Sequence, residues 1–494
     1  MRLASIVQGL DFDLVKGDLN IDVDAVAFDS REVIQKCVFV AVSGFTVDGH
    51  SFIPKAISLG ATAIIVEKDV QVDESITVLK VRDTRDALAL LSSNFYGRPT
   101  DQLNMIGITG TNGKTSISYF MKSILEQAGK HVGIIGTIGT MIGDQLKKNK
   151  NTTPESLYLQ QIIADMVSSD ISHCVMEVSS HALSLKRVAY SRFHTGIFTN
   201  LTPDHLELHN SMEEYFEAKS LLFDQTSDYN IINADDPYGR RLIDKVKHYK
   251  SKLVTYGIDN KADVYASDIR YFIDSTIYNV HTPAGSIEIK VNLPGDIYVL
   301  NSLAAIACAY CSGIDLEVIK NGIQAVEGIK GRMEVVYKDK NNLVIVDFAH
   351  TEDSLEKALL TLRPYAKGRI FLVFGVYAAA GELGSDKRSS MGKVAAKHAD
   401  LSIVTSDNPK DQDPDAIISE IVASMEAAGG SYKALVDRKE AIEYALTIRQ
   451  KDDIILITGK GHETSQIIGK TEIPFNEAEI VNEFIKRQLL NNGY

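Results

Sequence analysis

The stretch from Leu103 to Gly129, LNMIGITGTNGKTSISYFMKSILEQAG, constrains this chain more than any other. An apolar run leads into Gly107-Ile-Thr-Gly-Thr-Asn-Gly-Lys-Thr115, and a helical pattern follows. Strand, glycine loop and helix in that order form an anion site. The glycines let the backbone close around phosphate oxygens, and the helix N-terminus presents N–H groups and the positive end of its dipole. The nucleotide contacts expected here are Gly110, Thr111, Asn112, Gly113, Lys114, Thr115 and Ser116. Lys114 reaches the β- and γ-phosphates, and Thr115 offers its hydroxyl to Mg²⁺. The general pattern G-x-x-x-x-G-K-[ST] is missed at one position, where Ile108 stands for the first Gly.

A strand–loop–helix unit of this kind belongs to an α/β fold, and the rest of the chain agrees. Strand-like runs at His173–Val178, Thr195–Thr199 and Asn230–Asn233 alternate with helical patterns, which implies a largely parallel sheet with helices on both faces. Lys261–Val291 reads as an antiparallel section, and a helix over Leu300–Cys311 follows. The alternation restarts with strands at Leu343–Phe348, Ile370–Phe374, Ser402–Thr405, Ala434–Val436 and Ile454–Ile457, a second doubly wound unit. Before the loop, short strands at Cys37–Val42, Ala61–Val66 and Thr77–Val81 end at the breaker Arg98–Asp101. The expected domains are 1–102, 103–333 and 334–494, as 494 residues at roughly 150 per domain would suggest.

Composition excludes several classes. Lys plus Arg is 52 against 65 for Asp plus Glu, a net charge of −13, which argues against a nucleic-acid binder. No apolar run approaches the roughly 20 residues of a membrane span, and the N-terminus lacks the apolar core of a signal peptide. Four cysteines make no disulfide framework, and Cys308 and Cys311 are expected to pack in a helical core. A soluble, cytoplasmic, multidomain protein without membrane insertion is expected.

The form Thr109-Gly-Thr-Asn-Gly-Lys-Thr115 resembles the Mur ligase family, ATP-dependent amide-forming enzymes of peptidoglycan synthesis with folate-polyglutamylating relatives. Three further segments carry the resemblance: Glu177-Val-Ser-Ser-His181, Thr199-Asn-Leu-Thr-Pro-Asp-His205, and Glu214-Tyr-Phe-Glu-Ala-Lys-Ser220. The resemblance implies a three-domain architecture and makes Glu177 and His205 metal ligands with Thr115. It also makes Lys219 a carbamylated lysine, whose carbamate turns a cation into an anion that coordinates Mg²⁺. It further implies that Asn233, Asp236 and Asn301, at the opening of its helix, line the adenine and ribose. Arg332, in Gly331-Arg-Met-Glu334, would meet the γ-phosphate with a guanidinium fork.

Phe28-Asp-Ser30-Arg31 and Gly44-Phe-Thr-Val-Asp-Gly-His50 resemble the UDP-binding domain of the branch that adds the third peptide residue to UDP-MurNAc-L-Ala-D-Glu. By that resemblance Ser30, Asn151, Thr152, Thr153, Ser179 and Arg187 hold the substrate, with Arg187 neutralising an anionic group. The incoming amino acid falls to Arg388, to Asp407, Asn408, Pro409 and Lys410, and to Gly459 and Glu463 in Gly459-Lys-Gly-His-Glu463. Diaminopimelate-adding members carry D-N-P-R, so Lys410 keeps the charge without the bidentate fork. Cationic Lys410 and Arg388 favour meso-diaminopimelate. L-Lysine, other diamino acids, another carboxylate acceptor and a non-catalytic nucleotide-binding role stay open.

The chain departs from the family elsewhere. Leu383 stands where members carry Arg in a G-G-D-R-D loop, within a longer Val376–Asp386 segment, and Glu352 replaces a Pro after Phe348-Ala-His-Thr351. The expected reaction is attack of a substrate carboxylate on ATP, then attack of the amine on the acyl phosphate. Lys114, Arg332 and two Mg²⁺ spread charge, and His350 or a water relays the proton. A monomer is expected.

Overall fold

The computed structural model describes residues 1–44, 47–143, 145–204, 206–378 and 381–491. The chain divides into two compact units. One comprises Met1–Leu201, Ser211–Val264 and Ala304–Gly322; the other comprises Thr202–Asn210, Tyr265–Leu303 and Ile323–Tyr494.

In the first unit an N-terminal sheet runs in the order Asp13–Lys16, Thr77–Lys80, Ala61–Val66, Cys37–Val40, Ala25–Ala27. All its pairs are parallel except that of Asp13–Lys16 with Thr77–Lys80. Apolar clusters cover both faces, Val38, Val40, Ile65 and Leu79 on one and Cys37, Phe39, Ile64 and Val78 on the other, as alternation along each strand requires. The helix Thr84–Phe95 follows, started by Asp83, whose carboxylate accepts from the N–H groups of Arg85 and Asp86.

The larger sheet of this unit has six parallel strands in the order Lys252–Gly257, Thr226–Asn233, Phe193–Phe198, Asn104–Thr109, His173–Glu177, Val132–Gly136. Antiparallel Gly139–Ile142 and Gln145–Lys147 extend it past Val132–Gly136. Asn104–Thr109 is buried from Met105 onward, which suits an apolar run covered on both faces. Gly107 allows that closeness, since a Cβ there would stand 2.8 Å from Phe193 Cδ1 and 2.9 Å from Leu222 Cδ1. Both neighbours of Asn104–Thr109 come later in the chain, so the loop after it opens at a topological switch point, where such sheets bind ligands.

The second unit contains the antiparallel strands Val264–Tyr271, Thr276–Thr282 and Gly285–Val291. Its other sheet runs Glu334–Lys338, Leu343–Asp347, Ile454–Thr458, Ile370–Phe374, Leu401–Val404, Tyr432–Ala434, parallel except for the first pair. Helices Arg438–Ile448 and Glu477–Asn491 pack on it through Ala441, Ile442, Ala445, Val481 and Ile485. A hairpin, Ser465–Ile468 with Thr471–Pro474, adds to the same end of the chain.

The antiparallel section and the second doubly wound unit match the sequence reading. Two details differ. The helix expected from Leu300 starts at Asp296, so Asn301 lies inside its second turn and is buried rather than opening it. Asp296 follows Pro294-Gly295, and Gly295 at φ 99° makes the turn that lets the helix begin early. The Val376–Asp386 segment is not all loop: a helix runs Gly381–His398, which puts Leu383 on its first turn, 45% exposed. All four cysteines are free, and Cys37, Cys174 and Cys308 are buried. Among the described residues no helix is long and apolar enough to cross a membrane.

Candidate active site

The loop Gly110–Gly113 turns on two glycines with positive φ, 143° at Gly110 and 93° at Gly113. A Cβ on Gly110 would stand 1.8 Å from Thr199 Oγ1, so only glycine allows this approach. Gly113 is the N-cap of the helix Lys114–Gln127 and supplies no side-chain cap. The start of that helix therefore keeps the dipole and donor character that suits an anion. Lys114 folds back over the loop, donating from Nζ to the carbonyls of Gly110 and Thr111, each at 2.9 Å. Ser116 is buried in the first turn.

The neighbouring strand end braces this loop. Thr111 N donates to Asn200 O at 2.9 Å and Asn112 N to Asn200 Oδ1 at 2.9 Å. Thr199 Oγ1 and Asn200 Nδ2 both donate to Asn112 O, at 2.7 and 3.2 Å. Asn233 Nδ2 donates to Thr199 O at 2.8 Å, and Asp236 caps the helix Pro237–Val246 while accepting from Leu201 N at 3.2 Å. Asn233 and Asp236 thus support the strand end beside the loop. Asn301 belongs to the other unit.

Glu177 ends its strand 1% exposed. Its carboxylate accepts from Thr115 Oγ1 at 3.2 Å, Thr137 Oγ1 at 2.9 Å and Thr137 N at 3.1 Å. A buried carboxylate held by neutral donors beside a threonine hydroxyl is an oxygen donor set of the kind Mg²⁺ accepts. A Cβ on Gly136 would stand 2.3 Å from Glu177 Oε1, so that glycine makes room for the carboxylate.

Lys219 sits in the helix Met212–Asp224, which Ser211 caps through Glu214 N. It is 2% exposed, and its Nζ donates to Gly110 O at 2.8 Å and lies 4.5 Å from the Tyr215 ring centroid. Tyr215 Oη meets Thr111 Oγ1 at 3.3 Å. Gly110 O therefore accepts from both Lys114 and Lys219. The fourth expected ligand, His205, lies outside the described residues.

On the other flank of Glu177, Thr153 Oγ1 donates to Glu177 O at 2.8 Å and accepts from Ser179 N at 3.1 Å. Ser179 caps the short helix Ser180–Ser184. Arg187 donates to Thr153 O at 3.1 Å and pairs with Glu155 at 2.7 Å. The anionic partner of Arg187 in this structure is thus a residue of the chain. Thr152 Oγ1 lies 3.3 Å from Thr137 Oγ1, and Asn151 is half-buried beside them in sequence. Ser30 is buried in a turn tied to this region, since Tyr158 Oη donates to Glu32 at 2.8 Å and its ring meets Phe28 edge-on at 5.4 Å. Next to Ser30, the Arg31 hydrogen bond holds the Asp29 carboxyl down at about 2.

In the second unit, Asp347 ends its strand buried and accepts from Met333 N at 2.7 Å and Ala349 N at 2.8 Å. Burial pushes its carboxyl upward, and the Arg332 charge opposes that. The Arg332 guanidinium lies 4.7 Å from the Phe348 ring centroid. His350 and His462 pack on the same ring at 4.6 and 4.8 Å, and His350 Nδ1 meets Phe348 O at 2.8 Å. Burial and the charge of Arg332 draw His462 down to about 3.

The expected amino-acid residues gather in part. Lys460, fully buried, donates to Glu463 Oε2 at 2.6 Å and Asn408 Oδ1 at 3.1 Å, and Asn408 Nδ2 reaches the same Glu463 oxygen at 3.2 Å. A Cβ on Gly459 would stand 2.6 Å from Asp407 Oδ2, which puts the two turns in contact. Pro409 is buried and Lys410 exposed, with Lys410 at φ 50° bonded through its backbone to Ile467 and Gly469. Arg388 is engaged elsewhere: its Nε donates to Glu420 Oε2 at 2.8 Å, bridging two helices.

Functional residues beyond the expected set are Gly136, Thr137, Tyr215, Lys460 and the buried pair Arg438–Glu477. The apolar run Val132–Gly136 marks the strand end before Thr137, and Lys460 is legible between Gly459 and Glu463; Tyr215 and Arg438–Glu477 have no local signature.

A phosphate-type loop at the switch point of a parallel sheet, with a buried carboxylate and a buried lysine converging on it, defines an α/β enzyme of the phosphate-loop class. Family models match the chain in three stretches: the Mur ligase family catalytic domain over 22–96, the Mur ligase middle domain over 108–309, and the Mur ligase glutamate ligase domain over 331–461. The chain belongs to the Mur ligase family. It is 44% identical to the UDP-N-acetylmuramoyl-L-alanyl-D-glutamate–2,6-diaminopimelate ligase of Clostridioides difficile, over 99% of this chain and 100% of that one. Identity to the protein of the same name from Alkaliphilus metalliredigens is 42%, over 100% and 99%. A solved structure of a ligase of that name superposes with a TM-score of 0.71 at 28% identity, covering 99% of each chain.

Proposed function

We propose that this chain is an ATP-dependent amide ligase that joins meso-diaminopimelate to UDP-MurNAc-L-Ala-D-Glu in the cytoplasm, as a step of peptidoglycan precursor synthesis. The observation that carries the reading is the convergence of Lys114 and Lys219 on Gly110 O, in a chain similar end to end to ligases of that name. Residues 1–102 serve the uridine nucleotide, 103–333 ATP, and 334–494 the amino acid.

A carboxylate oxygen of the D-Glu residue attacks the γ-phosphorus of ATP. The bond to the β–γ bridging oxygen breaks, and ADP leaves. The amine of the diamino acid then attacks the acyl carbon, phosphate leaves, and the amine gives up a proton. Lys114 and Arg332 offset charge on the transferring phosphoryl group. The loop N–H groups orient the phosphates, and Asn200 and Thr199 hold the loop in shape. Arg187 and Thr153 hold the muramoyl peptide, and Lys410 faces the distal carboxylate of the diamino acid.

The donor set at Thr115 and Glu177 suits Mg²⁺, with His205 and a carbamylated Lys219 as the ligands of a second ion. When bound, Mg²⁺ supplies charge neutralisation on the phosphates. Lys219, buried against Tyr215, would as a carbamate bring negative charge to the loop. His350 or a water carries the proton of the second step.

The test is phosphate release with ATP, Mg²⁺ and UDP-MurNAc-L-Ala-D-Glu, offering meso-diaminopimelate, L-lysine and L-ornithine separately. Release with meso-diaminopimelate above the other two is expected. No release with any of them sinks the reading, and release with L-lysine alone moves the acceptor.

A further inference from the structure

The turn Asp407–Lys410 and the turn Gly459–Glu463 follow two strands, Leu401–Val404 and Ile454–Thr458, that are not neighbours, since Ile370–Phe374 lies between them. The sheet ladder therefore does not pair one turn directly with the other. Asn408 reaches across the gap to Lys460 and Glu463, and one further, buried side chain ties together the two strand ends from which the turns spring. Arg438, the first residue of the helix Arg438–Ile448, donates from Nη1 to Ser406 O at 3.4 Å and from Nη2 to Thr458 O at 2.6 Å. Those carbonyls immediately precede Asp407 and Gly459. The same guanidinium gives Nε and Nη2 to Glu477 Oε1, at 2.8 and 2.7 Å.

Both side chains of this pair are 0% exposed. Burying two charges is expensive, and an apolar pair of similar volume would fill the space at least as well. Such a pair could not hold two carbonyls on separate strands. A planar fork with several fixed donors can, and a lysine ammonium cannot match its reach. Glu477 aims the fork from the first turn of the helix Glu477–Asn491. Gln466 braces the same turn from the hairpin side, donating from Nε2 to Asp407 O at 2.7 Å.

We propose that Arg438, aimed by Glu477, is a positioning residue that fixes the Asp407–Lys410 turn against the Gly459–Glu463 turn and so sets the affinity for the incoming diamino acid. The assignment rests on the ligase reading above. Arg438→Lys keeps the charge and loses the fork; Glu477→Gln keeps the fork and loses its anchor charge. Either variant is expected to raise KM for the diamino acid about tenfold, with KM for ATP and for the UDP-linked substrate within about twofold of the parent. The control is Arg369→Lys, which loosens the pair with Asp453 (2.7 Å) at the other end of the same sheet. It should lower Tm with no selective change in KM.

If the three KM values move together, if none moves, or if Arg369→Lys reproduces the pattern, the positioning role is wrong. A parent enzyme that releases no phosphate with any amino acid would sink the ligase reading instead. The clamp is then judged by amide exchange. Faster exchange of residues 405–410 and 458–463 in Arg438→Lys, with 110–116 unchanged, supports it. Unchanged exchange at both turns overturns it.

Discussion

Lys219 Nζ donates to Gly110 O at 2.8 Å, tying the helix Met212–Asp224 to the turn of the phosphate loop. A lysine 2% exposed beside a loop built for anions is an uncommon placement. Lys219→Ala is expected to lower kcat by roughly a hundredfold or more, the size of losing one oriented charged group. Short carboxylic acids added to the assay should restore part of the rate if the native group is a carbamate. Full activity in the unsupplemented variant would disprove the role.

Gly136 makes space for the Glu177 carboxylate. Gly136→Ala would place a methyl 2.3 Å from Oε1 and displace the carboxylate from Thr137 and Thr115. The expected result is a raised Mg²⁺ requirement, about tenfold, at a stability cost of roughly 1–3 kcal/mol from overpacking. Mg²⁺ titration of the initial rate, with thermal melts beside it, measures both. An unchanged titration would separate Glu177 from the metal.

Gly110 should tolerate no side chain at all. Its φ of 143° and the 1.8 Å approach to Thr199 Oγ1 act together. Gly110→Ala should cost roughly 2 kcal/mol or more and abolish nucleotide binding. Urea unfolding and binding of a fluorescent ATP analogue test the two halves; retained binding would show that the loop can re-form around a methyl.

Lys410 closes the Asp407-Asn-Pro-Lys410 turn, and its side chain is exposed. If it meets the distal carboxylate, Lys410→Ala raises KM for meso-diaminopimelate about 10- to 100-fold, the worth of one charge-assisted hydrogen bond. Lys410→Arg should hold or lower that KM. Improved use of meso-diaminopimelate by the alanine variant would count against the contact.

His462 predicts acid sensitivity. Its folded pKa, about 3, lies below the value near 6.5 of an unfolded histidine. The unfolded chain therefore binds the extra proton. The contribution is whole above about pH 6.5 and is lost as pH falls toward 3, at up to about 1.4 kcal/mol per unit. Burial draws His173 down to about 4, which adds to the same window. Urea unfolding at neutral and mildly acidic pH should show a shallower pH dependence in His462→Gln than in the parent; equal slopes would refute it.

Local sequence determined the strand–loop–helix of the phosphate site, since Gly110, Gly113, Lys114 and Thr115 act within one turn of one another. It also determined the second doubly wound unit, because an apolar run followed by a 3.6-residue period is a local pattern. The start of the helix at Asp296 and the helix over Gly381–His398 were not legible, because turn geometry and packing set them. Only the tertiary structure brought Thr137 to Glu177, Lys219 to Gly110, and Arg438 to both Ser406 and Thr458. It also turned Arg388 to Glu420 and Arg187 to Glu155. Those pairings join residues from roughly 20 to over 100 positions apart, and whether such groups meet depends on strand order and helix packing, which no local run of side chains encodes.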